Sequence, residues 1–410
     1  MSRPQQVDVA IGGGGNVGLA LAVALTDALG PGFTVALIDR APWPAAPGND
    51  VRASALALGS KRLLTALGVW PHLAEFAQPV TAIDITDSRL GDAIRPILLS
   101  YDNTLNDQEP ASYIVENDRL RAALIAAAGA HRGLSLIGGV ALKGFAADAA
   151  GVHIDLAEAT LSARLLIGAD GRGSPLREEA GIKVLRWSYP QTGIVTSVGH
   201  SRPHGGRALQ HFLPSGPFAI LPLRHNRSCI TWSEDTSEAG RLLALDQAAF
   251  REELARRFDY RLGEILEVGA RAAWPLEMQL ARTLTAERFA LIGDAAHLVH
   301  PIAGQGLNLG LRDVAALTEV VAEAARLGLD IGSGLVLERY ARWRRLDAAL
   351  SAGTFDALNT LFSNDWTLVR TARDVGLGLV DRFPALKAFF VAEAAGLTGE
   401  VPKLLRGERP

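Results

Sequence analysis

A chain of 410 residues exceeds the roughly 100–200 residues of a typical single domain, which predicts two closely connected domains. With 48% hydrophobic and 21% charged residues its composition excludes intrinsic disorder, and a net charge of -3 without any long Lys/Arg run argues against a nucleic-acid partner. The single cysteine, Cys229, excludes an intramolecular disulfide and has no partners at metal-ligand spacing, as expected in a reducing compartment.

The polar start, Met1 to Asp8, lacks the basic-apolar-small layout of a signal peptide and is read as mature and cytoplasmic. Residues 7–11 (VDVAI) predict a short buried strand, the Ala/Leu/Val-rich stretch to Leu29 a helix, and residues 33–38 (FTVALI) a second strand, which together make a βαβ unit. A helix is expected over 116–130, strands over 134–142, 152–168 and 286–292, alternating in the α/β manner. Between 185 and 275 short Thr/Val/Ile/Trp/Phe runs separated by turns predict an inserted, mainly antiparallel sheet, and from 312 onward the pattern is helical, including 338–347 and 374–396. No apolar run reaches the ~18–20 residues that would span a bilayer, so the protein is expected to be soluble or peripheral. The resulting division is a discontinuous nucleotide-binding domain (1–75, 101–184, 282–330), a substrate domain (76–100, 185–281) and a C-terminal helical region (331–410).

The segment IGGGGNVG at 11–18 places Gly13, Gly15 and Gly18 in a G-x-G-x-x-G directly after a strand and at the start of a helix. The first glycine permits the tight turn, the second lets backbone approach a pyrophosphate, and the third allows close helix–strand packing, with the helix N-terminus aimed at the phosphates. Asp39 ends the second strand 21 residues after Gly18, where a carboxylate can accept from adenosine ribose hydroxyls, with Arg40 near the adenine. This loop does not separate NAD from FAD.

The second cluster, FALIGDAAHLVHPIAGQGLNLGLRD at 289–313, favours FAD. It sets Asp294 at a strand end, suited to ribityl hydroxyls, and then opens another helix, whose N-terminal segment Gln305 to Asn308 would aim N–H groups and the dipole at the pyrimidine end of an isoalloxazine. NAD has no ribityl chain to be held there. A third element, LLIGADGRGSPLR at 165–177, puts Asp170, Gly171 and Arg177 in a turn expected beside the glycine loop.

These motifs resemble those of the ubiquinone-biosynthesis hydroxylases, within the para-hydroxybenzoate-hydroxylase-like flavoprotein monooxygenases, and the resemblance runs nearly end to end. HPIAGQGLNLGLRD at 300–313 reads as the family signature; GADGRGSPLR matches the class with Gly173 where asparagine is commoner, and Gly12 and Asn16 depart from the usual glycine loop without obstructing phosphate. Further matches are DVRASAL at 50–56, which implies a role near the flavin for Arg52, and YIVENDRLRAAL at 113–124, which implies a cofactor contact for Asn117. FLPSGPFAILPLR at 212–224, WPLEMQLA at 274–281 and the segment 361–390 point to the ubiquinone branch.

The resemblance implies an α/β Rossmann-like FAD domain with an inserted antiparallel substrate domain, and an enzyme in which NAD(P)H reduces FAD, O2 adds at C4a, and an electron-rich prenylated phenol attacks the distal oxygen. It implies that Pro301, Gly304, Gln305, Gly306, Leu307 and Asn308 border the flavin, opposite a wall of Phe218, Ile220, Leu221, Pro222 and Leu223. The expected partners are a lipophilic phenol and, at the inner membrane face, other ubiquinone-biosynthesis proteins or a lipid-presenting accessory protein. No proton-transfer residue is assigned; His211, His297 and His300 are candidates by proximity only, and H-x-x-H at 297–300 lacks a further metal ligand. Cys229, in a β-type run, reads as a small buried apolar residue. The absence of a G-x-S-x-G elbow removes triad hydrolysis. Two alternatives stand: a flavin enzyme on another substrate, either a soluble aromatic or a polyprenyl chain to be reduced, and a non-catalytic flavin-binding scaffold.

Overall fold

Strand Gln5–Gly12 is apolar on both faces, and Val9, Ala10 and Ile11 are fully buried, as a central parallel strand requires. It pairs in parallel with Val35–Asp39 on one side and Thr160–Gly168 on the other; Leu134–Gly138 and Phe289–Leu291 extend the two flanks, also in parallel. The computed structural model describes residues 5–43, 50–87, 89–90, 96–105, 109–157, 159–258, 260–300, 304, 306–345, 353 and 395–410. Two expected strands are each divided. Gly139, at φ 72°, turns the chain between Leu134–Gly138 and Leu142–Ala147, and 152–168 is an antiparallel pair, Val152–Leu156 with Thr160–Gly168.

Helix Asn16–Leu29 follows the first strand and packs against both Asn117–Ala128 and Gly306–Arg326. Its residues Gly18 through Thr26 are all buried, and each fully buried leucine among them contributes about 1.5–3 kcal/mol. The crossing with Gly306–Arg326 is close because Gly310 has no side chain: an added Cβ would lie 2.6 Å from Val17 Cγ2 and 3.3 Å from Gly293 Cα. That approach brings two helix N-termini together, one opening at Asn16 and the other at Gly306.

The second sheet is built mainly from Val184–His200, Arg207–Leu213, Gly216–Leu223, Arg227–Asp235 and Ala272–Ala281, paired antiparallel. Its far flank is Ala82–Asp87, parallel to Arg207–Leu213, followed by Ile97–Asp102, and its near edge is His297–Leu298. Helices Thr236–Ala244 and Gln247–Arg257 cover one face, burying Phe218, Ile220, Ile230 and Trp232 against Leu242, Phe250 and Leu254. The other face, with Val195, Leu221, Leu223, Cys229 and Trp274, looks toward Ala53, Ala55 and Ile114 of a small third sheet, Ala53–Ala57, Ser112–Glu116 and Gln78–Val80.

The fold is thus the expected α/β nucleotide-binding unit with a mainly antiparallel second sheet. Residues 334–345 and Lys403–Arg406 are helical, while 346–352 and 354–394 of the C-terminal region lie outside the described residues. Among the described residues no helix is long and apolar enough to cross a membrane. Parallel strands ending at Gly12, Gly168 and Leu291 deliver their following turns to one edge, the place where open α/β sheets bind ligands.

Candidate active site

At that edge a cavity of about 360 Å³ separates the strand-end turns from the second sheet. Gly15, Asn16 and Val17 reach it from the first helix, and Gly304, Gly306 and Leu307 from the other. Arg52 and Asn117 stand at a third side, Asp294 at a fourth, and Leu221 belongs to the sheet floor. Of the lining residues expected from sequence, Gly15, Arg52, Asn117, Gly304, Gly306, Leu307, Asp294 and Leu221 are brought together here; Pro301 and Gln305 lie outside the described residues.

The glycine loop owes its shape to contacts that tolerate no side chain. Gly13 sits at φ 112° with Asp170 N only 2.7 Å from where a Cβ would stand, and a Cβ on Gly18 would run into Gly13 O. Gly15 differs, because an added Cβ there meets nothing within 4 Å. The helix after it carries no side-chain cap and no acid in its first turn, so its leading N–H groups are left for an anion at the cavity wall. Those features fit a pyrophosphate. Asp39 does not line the cavity: its carboxylate accepts from Gly14 N–H at 2.5 Å and Ala41 N–H at 2.7 Å, at the strand end, and Arg40 is exposed beside it. Arg121, which sequence reading passed over, donates to Gly14 O at 2.8 Å and lies 5.5 Å over the Trp43 ring, bracing the loop.

Asp170 packs beside the glycine loop and organises its own turn, accepting from Ser174 Oγ at 2.5 Å and Leu176 N–H at 3.1 Å; burial raises its pKa against those bonds. Arg177, 2% exposed, donates to Ala295 O at 2.9 Å and Arg172 O at 3.2 Å, joining this turn to the Gly293–Ala295 turn. Asp294 lines the cavity and is exposed there. Desolvation by the surrounding protein raises its pKa, while His297, Arg52 and Arg172 pull it down. Asn308 turns away from the cavity: its side chain accepts from Ala57 N–H at 2.9 Å and Ser60 Oγ at 2.8 Å and donates to Ala55 O at 2.7 Å, tying helix to strand.

Arg52 grips Asp50 through two bonds of 2.7 Å and lies 5.7 Å from the Trp274 ring centre. Asn117 accepts from Ser54 Oγ at 2.7 Å and donates to Asp50 at 3.3 Å, so the rim is a continuous polar string. The floor is apolar, formed by Val195, Leu221, Trp274, Pro275 and Leu276, with Thr231 set among them and Glu277 at the margin, 3.4 Å from Arg172 Nε.

The expected wall of 218–223 requires correction. Side chains alternate along a strand, so Leu221 faces the cavity while Phe218 and Ile220 enter the core beneath the helices; Pro222 and Leu223 are buried without lining the cavity. The histidines also sit elsewhere. His211 is 2.7 Å from Thr86 Oγ1 between strands, His300 packs edge-on against Tyr189, and His297 Nε2 is 2.6 Å from Asp313. Burial pushes the Cys229 thiol up to about 12, which leaves it inert.

Thr231 had no motif to announce it, and Trp274 and Glu277, though inside the matched segment WPLEMQLA, were given no role in the site. They reach the cavity through register, Thr231 opposite Val195 and Trp274 opposite Gly193 on the long strand Val184–His200. Only cross-strand pairing, unreadable from one sequence, would have found them.

Comparison with known proteins places the chain in a family. Residues 6–348 match the family described as FAD binding domain. The chain is 43% identical to the ubiquinone hydroxylase UbiL of Rhodospirillum rubrum, across 99% of this chain and 94% of that protein. It is 35% identical to the 3-demethoxyubiquinol 3-hydroxylase of Escherichia coli, across 96% and 99%. Among solved structures, p-nitrophenol 4-monooxygenase of Pseudomonas putida superposes with a TM-score of 0.78 over 97% of this chain and 99% of that one, at 19% identity, a likeness of fold.

Proposed function

Since this chain belongs to the FAD-binding-domain family, among the ubiquinone-biosynthesis hydroxylases, we propose that it is an FAD-dependent monooxygenase that hydroxylates the ring of a prenylated phenol, consuming NAD(P)H and O2. The observation that carries this reading is one cavity lined by two helix N-termini and the Asp294 carboxylate on one side and by an apolar floor on the other. FAD, when bound, supplies the redox chemistry that activates O2. The protein's share is to hold, orient and keep dry.

In this reading the Gly15–Val17 N–H groups hold the pyrophosphate, Asp39 the adenosine ribose, and Asp294 the ribityl hydroxyls. Arg52 and Asn117 border the ring system, and the N-terminus at Gly306 and Leu307 supports negative charge on it. Val195, Leu221, Trp274 and Leu276 exclude water from the reacting face. A neutral, greasy substrate suits this floor better than a soluble aromatic acid: Arg52 and Arg172, the arginines at the rim, are paired with Asp50 and Glu277, which leaves neither as a ready counter-ion for a carboxylate. In this reading the isoprenoid tail is taken from a membrane surface or from a lipid-presenting partner.

The test is NAD(P)H oxidation by the FAD-loaded protein with and without a prenylated phenol, with products weighed by mass spectrometry. Stimulated oxidation and a product heavier by one oxygen atom are expected. Oxidation yielding only peroxide, or equally efficient turnover of tail-less phenols, would count against the substrate assignment. Thr231 provides a finer check, because it is a polar residue within the apolar floor and in this reading its hydroxyl orients the phenolic oxygen. Thr231→Val should lower kcat/KM about fivefold and release more peroxide at unchanged flavin content, while Thr231→Ser keeps both near the parent values. Unchanged coupling in Thr231→Val would remove the hydroxyl from the mechanism.

A further inference from the structure

Behind the cavity lies a buried charge cluster that the proposed chemistry does not use. Asp313, on helix Gly306–Arg326, is fully buried, and its carboxylate accepts from Gly293 N–H at 2.9 Å, from His297 Nε2 at 2.6 Å and from Arg344 Nε at 2.7 Å. His297 and Arg344 are 2% and 3% exposed. Burying such a set costs several kcal/mol per ion, and well-packed apolar residues in its place are often neutral or stabilising, so stability alone is a poor reason for it.

The cluster joins three pieces of chain. Arg344 belongs to the helical residues 334–345, which Tyr340 fastens to Leu291 O by a 2.8 Å bond; Asp313 belongs to the helix whose N-terminus lines the cavity; Gly293 and His297 flank Asp294. Gly293 takes φ 61°, a left-handed conformation, and its N–H is held by Asp313. The carboxylate therefore fixes the residues on both sides of Asp294 without touching the cavity itself.

We propose that Asp313 is a positioning residue for the cofactor, holding the Gly293–His297 turn so that the Asp294 carboxylate is presented to FAD. Its own charge is well supported: burial works against it, but His297 and Arg344 hold its pKa low. Burial alone would lower the His297 pKa, and Asp313 more than reverses that. The turn is thus clamped by charge-assisted bonds, the stronger kind, at both ends.

The inference rests on Asp294 contacting FAD, and a double-mutant cycle separates the two claims. FAD is titrated into the apoprotein of the parent, Asp313→Asn, Asp294→Asn and the double variant, followed by quenching of flavin fluorescence, with apoprotein melting measured alongside. If Asp313 acts through Asp294, Asp313→Asn weakens FAD about tenfold in the parent background and about twofold or less when Asp294 is already Asn. A merely structural Asp313 lowers melting in both backgrounds and weakens FAD by the same factor in each, which would overturn the inference alone. An Asp294→Asn protein that binds FAD like the parent would overturn the Asp294 assignment and this inference with it. Should Asp313→Asn fail to fold, His297→Gln takes its place in the same cycle: coupling to Asp294 supports the clamp, and additivity rejects it.

Discussion

An Asp294→Ala variant is expected to purify without flavin and without the yellow colour of the parent. The carboxylate stands at the one strand-end turn where the cavity wall carries an acid, with Arg52, Arg172 and His297 acting on it through space. Hydrogen bonds to an ionised carboxylate contribute about 1.5–3 kcal/mol each, so losing two from a ribityl chain weakens FAD on the order of a hundredfold or more. Asp294 is exposed in the cavity, so the alanine apoprotein should melt close to the parent and the loss of flavin should not reflect a folding defect. Flavin absorbance per polypeptide and apoprotein melting measure both halves. Full flavin occupancy in the variant would sink the ribityl assignment.

The parts of this site that could be read from sequence are those where backbone geometry dictates residue type. Gly13 at φ 112° and Gly18 against Gly13 O leave glycine as the residue that fits, so their spacing survives as a motif. Asp294 and Asp170 end strands, and a strand end is visible as the point where an apolar run stops. The substrate side lacks such marks. Gly216–Leu223 is covered on both faces, so its sequence is apolar throughout, and nothing in FAILPL tells whether the odd or the even positions meet the ligand. The answer depends on which face the helices Thr236–Ala244 and Gln247–Arg257 occupy, and that is decided by contacts distant in sequence. Asn308 illustrates the opposite error. It lies within the most specific motif, yet its amide bonds to Ala55, Ala57 and Ser60, so the motif builds a helix–strand tie as well as a ligand contact surface. Asp313 and Arg344 stand 31 residues apart and pair across two helices, a relation without a local signature.

The glycine loop offers the sharpest separation of folding from binding. In Gly18→Ala the new methyl group would overlap Gly13 O, a backbone atom that cannot rotate aside, within a helix whose neighbouring residues Leu19 through Thr26 are all buried. Alanine favours a helix by about 1 kcal/mol over glycine, but overpacking of this kind costs about 3 kcal/mol, so the variant should be destabilised by roughly 2 kcal/mol and lose flavin as the helix shifts away from the strand. Gly15→Ala should do the reverse. Its φ of -71° suits any residue and its Cβ position is open, so the apoprotein should melt as the parent does. That opening, however, faces the cavity, and a methyl group there stands where the pyrophosphate must approach the backbone. FAD affinity should fall by about tenfold or more with the fold intact. Denaturant melts of both apoproteins, with FAD titrations of each, distinguish the two effects. If Gly15→Ala binds FAD normally, the cofactor does not pass over this loop in the way proposed; if Gly18→Ala is as stable as the parent, the helix can slide and the close packing at Gly18 is dispensable.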